Sequence, residues 1–485
     1  MSSTNLGPTI SRISGISPQS QTVPSPEIEM SEAIEDITGG IENQENSAAD
    51  GYRKDKEKLA LDDQDDRLTM EEELEIEEDE EKAGYDAVPD GGIVAWLQVL
   101  GGTLMYFNSW GIINSYGCFE NYYISISLSN KTASDIAWVG SIQAFILVIM
   151  SIVVGPVFDR GYFRTLVISG SVTVVFGMMM TSLCTEYWQV MLAQGIVIGL
   201  GGGCLFIPAV AIMSQYFLRR RSFACGIVAA GSSMGGVLYP IIFHRLQPNL
   251  GFAWTTRVIA FIMLGTELIA IAVMRVRVMP RFKRAFWDST AFRDPAFVLF
   301  TTVVFFAFAG AYVPYYYIQT YTQDMDIFPE HVAFYMLSIL NAGSIVGRVV
   351  PNFLADIFGA VNIMIPFTVL TLIISFTWTS VHSGAGVVLF SFCYGVASGA
   401  FVSLPPPVLN SLCPDMRVVG TRMGMSFAFA SFGLLIGTPV AGALLRSPAT
   451  YTATMCWCGG VTAVALIVLI MTRWLKVGST MITFV

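Results

Sequence analysis

From residue 93 onward the chain alternates long apolar runs with short polar turns. A helix needs about 20 mostly apolar residues to cross a bilayer. Twelve segments qualify, the first six near residues 93–118, 135–158, 165–184, 188–214, 223–243 and 253–274. Six more lie near 296–321, 330–354, 361–381, 385–409, 418–444 and 451–473. Between the sets stands RVRVMPRFKRAFWDSTAFRDP, Arg275–Pro295, the longest polar stretch of this region. The pattern predicts an all-α membrane protein of two six-helix bundles, residues 89–274 and 296–475. A basic central loop at 275–295 joins them, and a short segment at 476–485 follows.

Charge adds a direction. Residues 1–90 hold 25 of the 37 acidic residues and 7 of the 27 basic ones. This Ser-, Pro- and Glu-rich stretch is too polar to offset its ordering entropy, so residues 1–88 read as a disordered acidic tail. No apolar core of a signal peptide follows Met1. With the N-terminus cytosolic, 15 loop Lys and Arg residues fall on the cytosolic side and 3 on the other. The positive-inside rule therefore places both termini in the cytosol, with the plasma membrane as the expected location. The sequon Asn130-Lys131-Thr132 falls on the outer side, making Asn130 the glycosylation candidate.

Polar residues inside the apolar runs locate the candidate chemistry. Ser338, Asn341, Ser344, Arg348 and Asn352 step by three or four along the eighth segment, so they share one helix face. A polar stripe with one cation belongs against a wet cavity rather than lipid. Snorkelling of Arg348 to the nearer interface is the competing reading. Asn108 and Asn114 in the first segment, Tyr315 and Tyr316 in the seventh and Tyr394 in the tenth complete the candidate lining. Glu267, in the sixth segment, is a candidate proton site or a carboxylate satisfied by a neighbouring helix. The eight cysteines lack metal-ligand spacing, and His244, His331 and His382 fall in expected loops. No nucleophile–base set and no phosphate-binding G-x-x-x-x-G-K-[ST] run occurs, so no enzymatic activity and no cofactor are expected.

The two halves echo each other. GPVFDRGYFR ends the second segment and VPNFLADIFG ends the eighth, placing Asp159 and Asp356 at matching corners. Such carboxylates pair with nearby arginines (Arg160 and Arg164 here) or cap a helix N-terminus, and so form a gate or a plain surface pair. Three stretches carry a family resemblance. PDGGIVAW, with Asp90, Gly91, Gly92 and Trp96, resembles the opening signature of the monocarboxylate transporter family. YFLRRRSFACGIVAAGSSMGG and GRVVPNFLADIFGAVN resemble that family's entry to its fifth helix and its helix 8–9 corner. The chain is similar to the fungal branch of this family, within the major facilitator superfamily, over residues 88–475.

The resemblance implies a major facilitator fold and alternating access, with Arg348 meeting a substrate carboxylate. Two departures qualify it. Ser344 stands where proton-coupled members carry an aspartate, and Ile113-Asn114-Ser115 has no lysine. These argue against lactate-type substrates and for a weak dependence on a pH gradient. Fungal members of similar pattern carry riboflavin or secondary metabolites. The expected partners are thus a small organic solute and the lipid bilayer, with no nucleic acid. The alternative is a nutrient sensor of the same fold that signals through its tail.

Overall fold

The computed structural model describes residues 89–277, 288–413, 419–445 and 451–477, and all its regular elements are helical. The acidic tail at 1–88 and Arg281, Lys283 and Arg284 of the central loop lie outside the described residues. Ten stretches are long and apolar enough to cross a membrane. One of them, Arg221–Val273, turns at Gly251, whose φ of 72° suits a residue without a side chain, and so forms two helices, α5 and α6. A further, more polar helix, α1, spans Ile93–Asn114. The rest are α2 (Ser134–Phe158), α3 (Phe163–Thr181), α4 (Tyr187–Gln215), α7 (Pro295–Asp324), α8 (His331–Phe358), α9 (Ala360–Ser380), α10 (Gly384–Leu412), α11 (Thr421–Leu444) and α12 (Tyr451–Lys476). The outer surface is apolar, with Phe176, Phe261, Leu389, Phe429 and Trp474 all exposed, as lipid contact requires.

Two boundaries differ from the sequence expectation. The first helix does not stop near 118: after Ser115 it continues as Tyr116–Tyr122 and closes in a π-helical turn, Tyr123–Ser127. This draws Glu120, 2% exposed, into the interior. His244 and His331 are not in loops: α5 runs on to the bend at Gly251, where the His244 ring stacks on Phe334 with centroids 4.3 Å apart, and His331 lies in the helical turn Glu330–Ala333.

The termini of the described chain share one face. Asp90 Oδ1 accepts from the backbone N–H groups of Leu218 (3.0 Å) and Arg219 (3.1 Å), just before α5. Gln98 in α1 donates to the Val273 carbonyl at the end of α6, 3.1 Å. Lys476 near the end of α12 donates to the Leu412 carbonyl at the end of α10, 3.2 Å. The Asp90 carboxylate therefore holds the α4–α5 corner rather than capping its own helix, and Trp96 packs edge-on to Phe217 at 5.4 Å. Two of the family-like motifs are thus one structural joint. Beside it, Arg422 at the start of α11 ties down the end of the central loop, donating to Asp288 (2.8 Å) and Asp294 (3.3 Å). Burial works to raise the Asp288 carboxyl, but hydrogen bonds from Thr290 and Arg422 outweigh it and hold it below the ordinary carboxylate range.

The helices of the two halves meet on both faces. On the face bearing the termini, Asp356 at the end of α8 accepts from the backbone N–H groups of Ser222 (3.0 Å) and Phe223 (2.9 Å) at the start of α5. A carboxylate on a helix N-terminus satisfies free N–H groups and complements the helix dipole. Ser151 in α2 donates to the Gly424 carbonyl in α11, 3.3 Å. On the far face, the Tyr116 and Tyr316 rings lie 5.2 Å apart. A Cβ on Gly117 would sit 2.7 Å from the Tyr315 carbonyl oxygen. The first and seventh helices therefore touch there backbone to backbone, which only glycine permits.

This contact has a direct test. Gly117→Val removes the close approach, so the far face opens. Modification of the adjacent buried Cys118 by an impermeant maleimide then accelerates, by roughly tenfold for each 1.4 kcal/mol of lost seal. An unchanged Cys118 rate, read by mass spectrometry on the full chain, contradicts the seal.

Candidate functional site

Arg348 lies at the seam of the two halves, 2% exposed. Its Nε donates to Ser344 Oγ, one turn back, at 3.2 Å. Its Nη1 donates to the Ala229 carbonyl at 3.0 Å and to Ser232 Oγ, both in α5. Close approach of the two helices makes this possible: a Cβ on Gly226 of α5 would sit 2.6 Å from the Arg348 carbonyl oxygen. Among the described residues no carboxylate pairs with Arg348. A buried guanidinium held only by neutral oxygens is the costly arrangement at membrane depth. Its observed partners are one backbone carbonyl and two hydroxyls.

The other members of the stripe also face the seam. Asn341 Nδ2 donates to Leu337 O at 3.0 Å, while its Oδ1 has no partner and rests against Gly236 of α5. Asn352 Nδ2 donates to Ser403 Oγ in α10 at 2.7 Å. Ser338 Oγ has no partner. Asn114, from the other half, donates to the Ser232 carbonyl at 3.3 Å and leaves its own Oδ1 without a donor. Arg348, Ser344, Asn341, Asn114 and Tyr316 therefore converge along the seam.

Four sequence candidates lie elsewhere. Asn108 turns into the N-terminal half: it donates to Glu267 Oε1 (2.8 Å) and Thr266 Oγ1 (2.9 Å), and accepts from the Tyr239 hydroxyl (2.6 Å). Ser171 of α3 donates to the second Glu267 oxygen at 2.9 Å. Both Glu267 oxygens thus accept hydrogen bonds within one bundle, as a carboxylate satisfied by neighbouring helices does. The Tyr394 hydroxyl donates to the Ala311 carbonyl (3.1 Å), inside the C-terminal half. The Tyr315 hydroxyl meets Ser398 at 3.4 Å, also within that half. At the gating corners Asp356 acts as described, Arg164 is exposed without an ion pair among the described residues, and the Asp159 side chain lies outside them.

Beside Arg348 is a cavity of about 30 Å³, the space of a single water. Tyr106, Trp110, Phe206, Phe308 and Phe427 form its walls together with Arg348 and Ser403. Trp110 stacks on Tyr312 (6.2 Å), whose buried hydroxyl lies beside the Arg348 guanidinium. Sequence reasoning missed most of this aromatic wall. The signal was the four-residue step from Tyr106 to Trp110, which looks the same as ordinary packing. A larger recess of about 560 Å³, lined by Phe328, Ile339, Val388, Leu389 and Phe392, holds none of the candidates and is apolar, as a lipid groove would be. Aromatic walls of this kind can stack a flat ring, and a guanidinium can take an acid through paired hydrogen bonds.

If the Glu267 cluster is structural, Glu267→Gln weakens charge-assisted bonds and costs about 1–3 kcal/mol. The thermal midpoint then falls by several degrees while solute flux per folded molecule stays at the wild-type level. Loss of flux at full stability contradicts this placement.

Residues 98–352 match the Major Facilitator Superfamily. The chain is similar to MFS-type transporter dbaD of Emericella nidulans, 43% identical over 77% of this chain and 84% of the relative. It is also similar to the aspyridones efflux protein apdF of the same organism, at 40% identity over 74% of this chain and 73% of that one. The agnestins efflux protein AgnL12 of Paecilomyces divaricatus is 36% identical over 72% of this chain and 81% of its own length. Among solved structures, the nucleoside transporter NupG matches with a TM-score of 0.59 at 14% identity, covering 78% of this chain and 99% of that one, a likeness of fold.

Proposed function

The chain belongs to the Major Facilitator Superfamily, and on that premise we propose that it exports an aromatic, acidic secondary metabolite by alternating access. It is an integral multi-pass membrane transporter of a small organic solute, not an enzyme. One observation carries the finer reading: a buried arginine without a carboxylate, beside a cavity walled by aromatic rings. An inorganic anion has no use for those walls, and a neutral ring has none for Arg348. Of the solutes the resemblance implied, the secondary metabolite fits both features. Two relatives are named efflux proteins, which supports export as the direction. The positive-inside bias supports cytosolic termini, so the solute enters from the face bearing Asp356 and leaves by the face sealed at Gly117.

The reading is tested in cells that make such an acid, by following its appearance outside and its retention within. Arg348→Ala removes an anion contact worth about 2 kcal/mol or more, so export falls roughly 30-fold or more. The variant keeps wild-type expression and thermal stability, because removing a buried cation relieves a desolvation cost. Export by Arg348→Ala at the wild-type rate removes this residue from the site and the acid from the substrate.

A further inference from the structure

Glu120 stands apart from the Arg348 seam and from the Glu267 cluster. It sits in the helical extension of α1, 2% exposed, and neither carboxylate oxygen has a hydrogen-bond partner. The contrast with Glu267, whose two oxygens take bonds from Asn108 and Ser171, is complete. Among the described residues no counter-charge acts on it. From α7 the titratable groups acting on Glu120 are Tyr316 and Tyr317, and from its own helix Tyr116. The Tyr116 hydroxyl donates to the Ile136 carbonyl (2.6 Å) and that of Tyr317 to the Thr438 carbonyl (3.1 Å), so neither points its proton at the carboxylate. On α2 the acidic residue is Asp135, whose carboxylate accepts at its own helix start from the Thr132 N–H (3.0 Å) and hydroxyl (2.8 Å). No cation of the described residues acts on Glu120.

An ionised carboxylate without donors or a cation cannot be held in a dry interior, whereas a neutral carboxyl can. The closed far face therefore contains a protonated Glu120. The place of this residue gives that proton a consequence. Glu120 lies three residues beyond Gly117, in the stretch where the first and seventh helices touch, beside the packed Tyr116 and Tyr316 rings. Parting these helices admits water to the carboxyl and lets it ionise; closing them requires the proton back. We propose that Glu120 is a proton-binding site whose occupancy closes the far face of the transporter. Proton binding and closure are then one linked equilibrium, each shifting the other by the same factor. The site supplies from the first helix the acid that Ser344 lacks in the eighth, so pH acts on the carrier despite that departure.

This inference rests on the alternating-access reading but does not need the solute, which separates the two tests. Wild type and Glu120→Gln, as full chains in lipid nanodiscs without solute, are treated with an impermeant maleimide from pH 5.5 to 8.5. Modification of Cys118 is read by mass spectrometry. The ratio of wild-type to variant rates cancels the thiol's own pH dependence. That ratio is expected to stay near one at the acid end and to rise at least fivefold at the alkaline end. Glu120→Asp keeps the wild-type profile. A flat ratio overturns the proposal, as does a Glu120→Gln chain whose Cys118 is exposed at every pH, since a neutral side chain must seal. Failed export with an intact pH profile overturns only the solute reading.

Discussion

The structure turns on a guanidinium buried at the seam of two helical bundles without an anion. Arg348 is held by a carbonyl and two hydroxyls, and those neutral contacts do not repay the desolvation of a cation at this depth. On the proposed reading, a ligand oxyanion displaces these three neutral oxygens. Because two of those contacts come from α5 and the arginine from α8, a bound acid competes directly with an interaction between the halves. In that proposal, binding and rearrangement are joined at one side chain.

The helix α5 makes this arrangement possible. Its glycines let α1 and α8 approach from two sides, with Gly231 against the Thr103 carbonyl and Gly226 against that of Arg348. Its first turn is met by Asp356, from the opposite half, and the corner before it by Asp90. The corner is therefore part of the seam: the same few residues that end the polar loop also fasten one face shut. On the other face the fastening is aromatic packing about Gly117, with Glu120 buried behind it.

Much of this was legible beforehand. Runs of apolar residues needed no tertiary information to be read as helices, since a bilayer imposes length and composition on each one separately. The stripe on α8 was legible because a step of three or four fixes a shared face. Which face looks where was not. Asn108 and Asn114 sit on one helix six residues apart, yet one meets Glu267 inside a bundle and the other meets the seam. Polarity alone does not separate them, because buried amides need partners in either place. Glu120 was missed for a different reason. A charged residue after an apolar run reads as the end of a span, and only the π-helical turn after Tyr122 shows that the helix goes on. The Asp90 motif was recognised, but its partner lay about 130 residues away in sequence.

The central claim is that Arg348 exchanges its neutral oxygens for a solute's acid. The most direct measurement is a cryo-electron microscopy structure of the full chain with an aromatic acid bound. The account predicts the acid's oxygens on the Arg348 guanidinium, its ring against Tyr106, Trp110 and Phe308, and the Ser232 contact broken. Ligand density elsewhere, with Arg348 still bonded to Ala229 and Ser232, would contradict it.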